Sequence, residues 1–185
     1  MNRGKGIRYI AGAAGVLLLA FLVVLAMAKP GDSESASSPL LGQAAPVVKS
    51  TTIGGGDFDL ARRKGSWVVL NFFNSTCVPC RQEHPFLVDF AKEQESSDNA
   101  VELYTVVNDD ADGPVQAFFD TNGGDWPAIR DDDGAISVAF GVAKVPESWV
   151  IDPNGFVRLR IMGALTKGFL TSRLDELKSQ FAGSQ

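Results

Sequence analysis

The chain has 185 residues, a formal net charge of −5, two cysteines and one histidine. This length accommodates one domain with an appendage. The acidic balance argues against nucleic acid and anionic lipid surfaces as partners, because both favour a cationic protein surface. Two cysteines and one histidine are also too few for the usual four-ligand zinc site, so we expect no bound metal.

An apolar segment near the N-terminus follows three cations. Residues 10–28 form an uncharged run of 19 residues, close to the roughly 20 that span a bilayer as a helix. The positive-inside rule places residues 1–9 in the cytoplasm and the remainder of the chain outside. A signal peptide cleaved after Ala28 is the alternative, but the run is longer than a usual signal core, so we favour a retained anchor. The prediction is a single-pass protein of the cell membrane with an extracytoplasmic domain.

The composition changes after this apolar run. Residues 29–45 are rich in Ser, Gly, Ala and Pro, which predicts a flexible linker, and the folded domain is expected to span residues 46–182. Without the three N-terminal cations, the outer part has 14 Lys and Arg against 22 Asp and Glu. We expect an acidic monomer that meets the membrane only through its N-terminal helix.

The centre of the domain is predicted as strand, helix and strand. Residues 66–73 are nearly continuously apolar, as in a central strand covered on both faces. A helix is predicted over residues 78–94, with a kink at Pro85 because proline lacks a backbone donor. A second apolar strand over residues 101–107 then implies a right-handed parallel crossover.

Shorter elements complete the predicted domain. They are an initial hairpin of strands 47–52 and 58–60, helices over 113–121 and 135–140, a strand pair over 145–151 and 156–161, and a last helix capped by Thr166 with Phe169, Leu170, Leu174, Leu177 and Phe181 on one face. The acidic run at residues 131–134 lacks the alternating ligands and terminal acid of a calcium loop. We therefore predict a solvated turn there.

Both cysteines lie where the central strand passes into the long helix. Cys77 stands at the predicted helix start, where free backbone N–H groups and the helix dipole favour a thiolate and lower the thiol pKa. Cys80 follows one turn later and can resolve a mixed disulfide formed on Cys77. The pair predicts a site that cycles between dithiol and disulfide, with no cofactor beyond that disulfide.

Other interpretations of the cysteines remain open. A purely structural disulfide would close a very short loop and gain little from loop entropy. His84 lies four residues after Cys80 and could complete a Cys-Cys-His copper set. A lone histidine on an amphipathic helix is usually a partly exposed side chain, however, so a copper-binding module is a secondary alternative.

The order of elements and two motifs resemble a known family. The order looks like the thioredoxin fold, an α/β fold with a mixed central sheet flanked by helices, over residues 40–181. Residues 72–85 resemble the F-W-A-x-W-C-x-P-C-x-x-E-x-P motif of membrane-anchored TlpA/ResA/DsbE-type thiol-disulfide oxidoreductases, and residues 141–152 resemble their G-V…x-P-E-[TS]-x-x-I-D segment. The resemblance implies disulfide exchange, in either direction, with exported proteins such as apocytochrome c, and a possible electron donor in the membrane.

The resemblance also implies roles for individual residues. Pro146 would be the cis proline facing the disulfide, although an X-Pro bond is ordinarily expected to be trans. A cis bond would turn the Val145 backbone toward Cys77, where it could form strand-like hydrogen bonds with a substrate peptide. Thr76 and Pro79 complete the predicted substrate-binding surface, with Thr76 standing where the family usually has Trp.

A proton acceptor for the resolving thiol is predicted at Glu83. Asn71 occupies the strand position where ordinary thioredoxins carry a buried Asp, and a neutral amide cannot accept the proton that Cys80 must lose. Glu83 matches the acid of the family motif and lies three residues after Cys80, within reach directly or through one water. Partial burial would raise its pKa toward neutrality. The alternative is a solvated acid on the helix surface.

A thiol peroxidase of the peroxiredoxin type is an alternative from a different enzyme class, because peroxiredoxins share the fold. Those enzymes need a proline and a threonine ahead of the peroxidatic cysteine to shape the peroxide pocket. The segment before Cys77 has no proline back to Ala61. Thiol-disulfide exchange is therefore the first prediction.

Overall fold

A computed structural model describes two compact units of the chain, residues 1–31 and 32–185. The described residues are 12–21, 23, 34–97 and 99–183. In the first unit, residues 12–21 and 23 are helical and exposed. The span predicted at 10–28 lies partly outside the described residues, and the predicted cytoplasmic segment 1–9 lies wholly outside them. Within the described ranges, no helix is both long enough and apolar enough to cross a membrane.

The second unit is built on a mixed sheet and a separate hairpin. Its strands are β1 (Glu34–Ser35), β2 (Lys49–Thr51), β3 (Asp57–Asp59), β4 (Trp67–Phe73), β5 (Val101–Val107), β6 (Ala128–Arg130), β7 (Glu147–Ile151) and β8 (Val157–Met162). Its α-helices are α1 (Val78–Glu95), α2 (Asp112–Asn122), α3 (Ala135–Phe140) and α4 (Phe169–Ala182). The six-stranded sheet has the order β1-β8-β7-β4-β5-β6, and β2 pairs with β3. This arrangement confirms the predicted thioredoxin-like fold and its hairpin.

Strand β4 is the centre of the sheet and of the core. All seven of its residues are buried, and it pairs in parallel with β5 and antiparallel with β7. Because successive side chains point to opposite faces, Leu70 packs on the side of α3 and the hairpin, whereas Val69 packs on the side of α1 and α4. Fully burying a large apolar side chain contributes roughly 1.5–3 kcal/mol. The apolar run therefore holds both layers together and fixes where β4 ends.

Helix α1 begins directly after β4 and carries its buried residues on one face. Cys77 is the N-cap and a proline lies in the first turn, where its missing N–H costs nothing. The buried side chains are Cys80, Glu83, His84, Leu87 and Phe90, whereas Phe86 is half-buried. Pro85 lies within the helix, and the kink expected there stays a prediction.

Ordered structure begins earlier than the composition suggests. Residues 34–45 were assigned to a flexible linker, but β1 pairs with β8 and the following turns bond to the β7–β8 hairpin. The backbone of Gly42 donates to Val157, and that of Ala45 donates to Gly155. These bonds satisfy the outer edge of β8, and Leu40, Leu41 and Ala45 pack against the core, which together explain why this segment is ordered.

The predicted turn at residues 131–134 is present with Asp132 and Asp133 exposed, but two details of the local predictions are wrong. Asp131 is not solvated, because its carboxylate is buried and accepts hydrogen bonds from the backbone N–H groups of Ile136 and Ser137 in the first turn of α3. Its position outside the helix start hides this capping role in the sequence. Thr166 does not cap α4, since the N-cap is Gly168 with φ 74° and no side-chain cap is present. Glycine adopts this left-handed conformation without a steric penalty.

Candidate active site

The two cysteines form a disulfide at the carboxyl end of β4. Cys77 is half-buried, and its Sγ accepts a hydrogen bond of 3.2 Å from the backbone N–H of Cys80. Cys80 is fully buried and packs with aromatic residues of the core. A partner can therefore approach the outer sulfur but not the inner one. This asymmetry is the one that a nucleophile and a resolving thiol need.

A cis peptide bond lies opposite the outer sulfur. The Val145–Pro146 bond is cis, as the resemblance implied, and the Val145 carbonyl oxygen lies 3.7 Å from Cys77 Sγ. Pro146 is buried, and its carbonyl accepts a hydrogen bond from Gly163 N–H after β8. The loop thus places a backbone edge beside the reactive sulfur, where an extended peptide can pair with it.

The segment before Cys77 is fixed by a side chain that the sequence analysis missed. Asn74 Oδ1 accepts hydrogen bonds from the Thr76 N–H and hydroxyl, and its Nδ2 donates to the carbonyls of Asn108 and Asp109. The turn before the disulfide is therefore tied to the loop after β5. An asparagine directly after a buried strand was the available signal, since Asn side chains commonly bond local backbone groups.

Glu83 is buried, and among the described residues it has no cationic partner. Its carboxylate is 0% exposed, Oε1 accepts from Asn71 Nδ2 at 2.8 Å, and Oε2 accepts from the Leu165 N–H at 2.7 Å. Burial raises the pKa of Glu83 to about 7, and the two hydrogen bonds oppose that rise. The solvated-surface alternative is wrong. The described hydrogen bonds of this carboxylate do not include Cys80, so its predicted role toward that thiol stays a prediction.

Asn71 joins three elements beneath the disulfide. Its Nδ2 donates to Glu83 on α1 and also to Ser148 Oγ on β7 at 3.0 Å, while Asn71 itself lies on β4. The amide is fully buried, and its Oδ1 has no hydrogen-bond partner among the described residues. The neutral amide thus contacts the buried acid directly, which the sequence analysis did not foresee.

His84 is part of the core rather than the surface. The side chain is 2% exposed, Nε2 lies 2.7 Å from the Gly123 carbonyl, and the ring packs against Phe118, Phe119 and Trp126. Burial lowers the pKa of the imidazole. The expected partial exposure is wrong, because α2 and the segment after it cover this face of α1. Among the described residues, no group of three or more His, Cys, Asp or Glu side chains could hold a metal ion.

A second buried acid beside the cis proline was also missed. Glu147 is 1% exposed and forms a two-pronged ion pair with Arg160, with Nε to Oε1 at 2.8 Å and Nη2 to Oε2 at 3.0 Å. The residues lie on the paired strands β7 and β8. A Glu and an Arg in two largely apolar strands were the available signal, but their pairing depends on the register.

The family model described as AhpC/TSA matches residues 41–160. The chain belongs to the AhpC/TSA family. It is 31% identical to the thiol:disulfide interchange protein HelX of Rhodobacter capsulatus, over 86% of this chain and 94% of HelX. It is 30% identical to the thiol-disulfide oxidoreductase ResA of Bacillus anthracis, over 74% of this chain and 78% of ResA.

A solved structure agrees with these relatives. A thiol:disulfide interchange protein of the thioredoxin family from Chlorobium tepidum has a TM-score of 0.61 and 27% identity, over 72% of this chain and 92% of that one. The Cys77–Cys80 disulfide and the names of the relatives agree on one activity. This member of the AhpC/TSA family is a thioredoxin-like thiol-disulfide oxidoreductase.

Proposed function

We propose that the chain is a membrane-anchored enzyme whose extracytoplasmic domain exchanges disulfides with exported proteins. The observation that carries the proposal is the half-exposed Cys77 sulfur, 3.7 Å from the Val145 carbonyl at the cis proline. A reactive sulfur beside a free backbone edge suits a peptide that presents its own cysteine.

Exchange proceeds through a mixed disulfide. In the reducing direction, the Cys77 thiolate attacks a substrate disulfide, forms one S–S bond and releases the first substrate sulfur as a thiolate. The Cys80 thiolate then attacks the Cys77 sulfur, closes the internal disulfide and releases the second substrate sulfur. Two electrons pass to the substrate, and the two protons of the dithiol end on the substrate thiols. Oxidation of a substrate is the same sequence in reverse.

The start of α1 supports Cys77 as the attacking sulfur. In the disulfide form, Cys77 Sγ already accepts the Cys80 N–H at 3.2 Å. The same donor and the positive end of the helix dipole would stabilise a thiolate after reduction. Cys80 lies deeper and is fully buried, so it suits the internal attack.

Glu83 is the proposed proton acceptor for Cys80. Its pKa of about 7 means that both protonation states are populated near neutral pH, as a general base requires. The carboxylate would take the Cys80 proton as that thiol attacks, and would return it in the reverse direction. Asn71 and the Leu165 N–H hold the carboxylate in place.

The surface around Cys77 is small and weakly apolar. Thr76, Val78 and Pro79 are exposed beside the disulfide, and Val78 is the large apolar side chain among them at 64% exposure. We expect a substrate peptide to lie over these residues and pair with Val145. Threonine in place of the family's usual tryptophan removes an aromatic contact, so substrate choice should differ from that of tryptophan-bearing members.

The proposed cellular location is inferred from the sequence. Residues 10–28 would anchor a monomer in the cell membrane with residues 1–9 in the cytoplasm, and the acidic domain would face exported proteins, apocytochrome c among them. A membrane electron donor would restore the dithiol if the enzyme reduces its substrates. The HelX and ResA relatives are named for thiol-disulfide chemistry, which supports the reaction class.

Trapping natural partners tests the proposal. In the full chain, Cys80→Ala should accumulate mixed disulfides with exported proteins, because attack survives while resolution is lost. Mass spectrometry of the adducts would name the substrates and show the direction of exchange. Cys77→Ala is the matched control and should trap nothing. Adducts recovered only from the control would reverse the assigned roles, and rapid peroxide consumption without adducts would favour a thiol peroxidase.

A further inference from the structure

We infer that Arg160 is a positioning residue that holds both ends of the substrate-binding loop, residues 141–146, here named the cis-proline loop. The inference rests on the proposed function in one respect, namely that Val145 pairs with a substrate peptide. The proposal concerns only how the Val145 carbonyl is held beside Cys77, 3.7 Å from its sulfur.

One end of the cis-proline loop is held by the buried ion pair. Glu147 directly follows Pro146, and both carboxylate oxygens accept from the Arg160 guanidinium at 2.8 and 3.0 Å. The Glu147 side chain is 1% exposed, and that of Arg160 is 15% exposed. A planar guanidinium bound through two donors fixes orientation as well as distance.

The other end of the loop meets the same guanidinium. Arg160 Nη2, which bonds Glu147, also donates to the Gly141 carbonyl at 3.4 Å. Gly141 ends α3 in the left-handed region with φ 68°, a conformation that an L side chain rarely adopts. One side chain on β8 therefore bridges the start and the end of the loop.

Arg160 is itself held on three sides. Its guanidinium carbon lies 5.2 Å from the centre of the Trp149 ring, Nη1 donates to the Ser37 carbonyl at 3.4 Å, and its own carbonyl accepts from the Ala36 N–H at 2.9 Å. The Ser37 contact ties the segment after β1 to the guanidinium, and the Ala36 bond ties the same segment to the Arg160 backbone. A side chain restrained in this way can transmit its position to the loop.

Between its two ends the loop is held by a backbone bond from the Val142 N–H to the Ser137 carbonyl at 2.9 Å and by partly buried packing of Val142 and Val145 against the core. Ala143 and Lys144 are exposed, and Val145 is only half-buried. Loss of the Arg160 contacts should therefore let the Val145 carbonyl move relative to Cys77. A peptide substrate that pairs with Val145 would react more slowly, whereas a small disulfide that needs only the Cys77 sulfur would not.

The chain contains a matched control on the same strand. Arg158 pairs with the buried carboxylate of Asp152 at 2.6 Å, and Asp152 follows the end of β7 that is remote from the cis proline. Both arginines thus leave a buried carboxylate when replaced. Only Arg160 touches the cis-proline loop.

The test compares Arg160→Met with Arg158→Met in the full chain. Rate constants of the reduced proteins are measured with a disulfide-bridged peptide and with oxidised glutathione. We expect Arg160→Met to slow the peptide reaction roughly ten- to hundredfold, the scale of a small misplacement of a reacting group. Its glutathione reaction and both reactions of Arg158→Met should match the wild type. Equal peptide rates for the two variants, or parallel losses with both reagents, would overturn the inference.

A double variant covers the case in which Arg160→Met fails to fold. Glu147→Gln with Arg160→Met removes both charges, so no unpaired carboxylate remains buried, and the Gly141 contact is still lost. We expect the same selective loss toward the peptide. A double variant that keeps the wild-type peptide rate would overturn the inference. A wild-type protein that exchanges with neither reagent would overturn the proposed function itself.

Discussion

The two sides of the disulfide each bury a glutamate, but in opposite electrostatic surroundings. On the helix side, Glu83 is held by the neutral donors Asn71 and Leu165. On the sheet side, Glu147 is held by the Arg160 guanidinium. Both side chains are almost completely buried. The difference shows that the charge of the partner, rather than burial, decides what a buried acid can do.

The physical reason is the cost of an uncompensated buried charge. A buried carboxylate must be paired or must take up a proton, because desolvation disfavours the ionised form. Glu83 has no cationic partner in the described part of the chain, and its pKa rises to about 7, so it can exchange a proton near neutral pH. Glu147 has a full counter-charge and serves as a fixed anchor. One side of the site is suited to proton transfer and the other to positioning.

Removing one partner of the sheet-side pair should have the largest effect on stability. Arg160→Met leaves the Glu147 carboxylate buried and unpaired, and breaking a buried pair in this way costs about 3–5 kcal/mol. Chemical denaturation of the oxidised domain at neutral pH measures this loss.

A double-mutant cycle then isolates the pair. Glu147→Gln combined with Arg160→Met should cost clearly less than the sum of the two single changes, since the double variant contains no unpaired buried charge. Strict additivity would mean that the two side chains stabilise the fold independently, and the contrast with Glu83 would disappear.

Replacing glutamate by glutamine on the helix side, at Glu83, should raise the stability at high pH, which is the opposite of its effect at Glu147. Folding raises the Glu83 pKa from 4.5 to about 7, so between these values the folded state binds a proton that the unfolded state has lost. The free energy of unfolding that this proton contributes is fully present below the unfolded-state pKa. It is lost as the pH rises through the folded-state pKa, and the loss amounts to about 3 kcal/mol. Glu83→Gln removes this dependence and should therefore be more stable than the wild type at about pH 9.

Denaturation of both proteins at about pH 5 and about pH 9 checks this expectation. Gln keeps the size of the side chain, and the Asn71 amide can still donate to it. Glu147→Gln, measured in parallel, should destabilise at both pH values. Identical pH profiles for the wild type and Glu83→Gln would show that Glu83 does not titrate in this range.

The elements of the site that the sequence predicts are those with local signals. The apolar run over β4, the cysteine pair at the start of α1 and the motif around Pro146 each lie in one continuous segment. Burial of Glu83 was anticipated only in part, because its depth depends on Leu165, which is distant in sequence and supplies the backbone donor.

The features that the sequence does not predict depend on pairing between distant segments. The Glu147–Arg160 pair needs the register of β7 against β8, and periodicity alone cannot supply it. His84 has the pattern of a surface residue until α2 covers it with aromatic side chains. Residues 34–45 share the Ser-, Gly-, Ala- and Pro-rich composition of a linker, and their backbone bonds to β8 and the β7–β8 hairpin arise only in the folded domain.

His84 extends the comparison from buried acids to a buried base. Its effect on the pH dependence of stability should be smaller than that of Glu83. Burial lowers its pKa below the ordinary 6.5, so on acidification the unfolded chain takes up a proton before the folded one does. Stability should fall as pH drops below 6.5, by about 1.4 kcal/mol for each unit of depression. Because the chain has one histidine, the imidazole signals in an NMR titration belong to His84. A midpoint at or above 6.5 would contradict its buried, neutral state.

The smallest expected effect concerns the thiols of the reduced enzyme. An ionised Glu83 beneath the disulfide disfavours a second negative charge nearby and couples the two titrations. Glu83→Gln should therefore lower the apparent thiol pKa by up to about one unit while slowing the resolving step, since the proposed proton acceptor is lost. Thiol alkylation rates against pH measure the first effect, and decay of a preformed Cys77 mixed disulfide measures the second. Glu93 is an exposed acid on the same helix, and Glu93→Gln is the control, which should change neither the thiol pKa nor the resolving rate. Superimposable alkylation curves for Glu83→Gln and the wild type would show that Glu83 takes no part in the thiol chemistry.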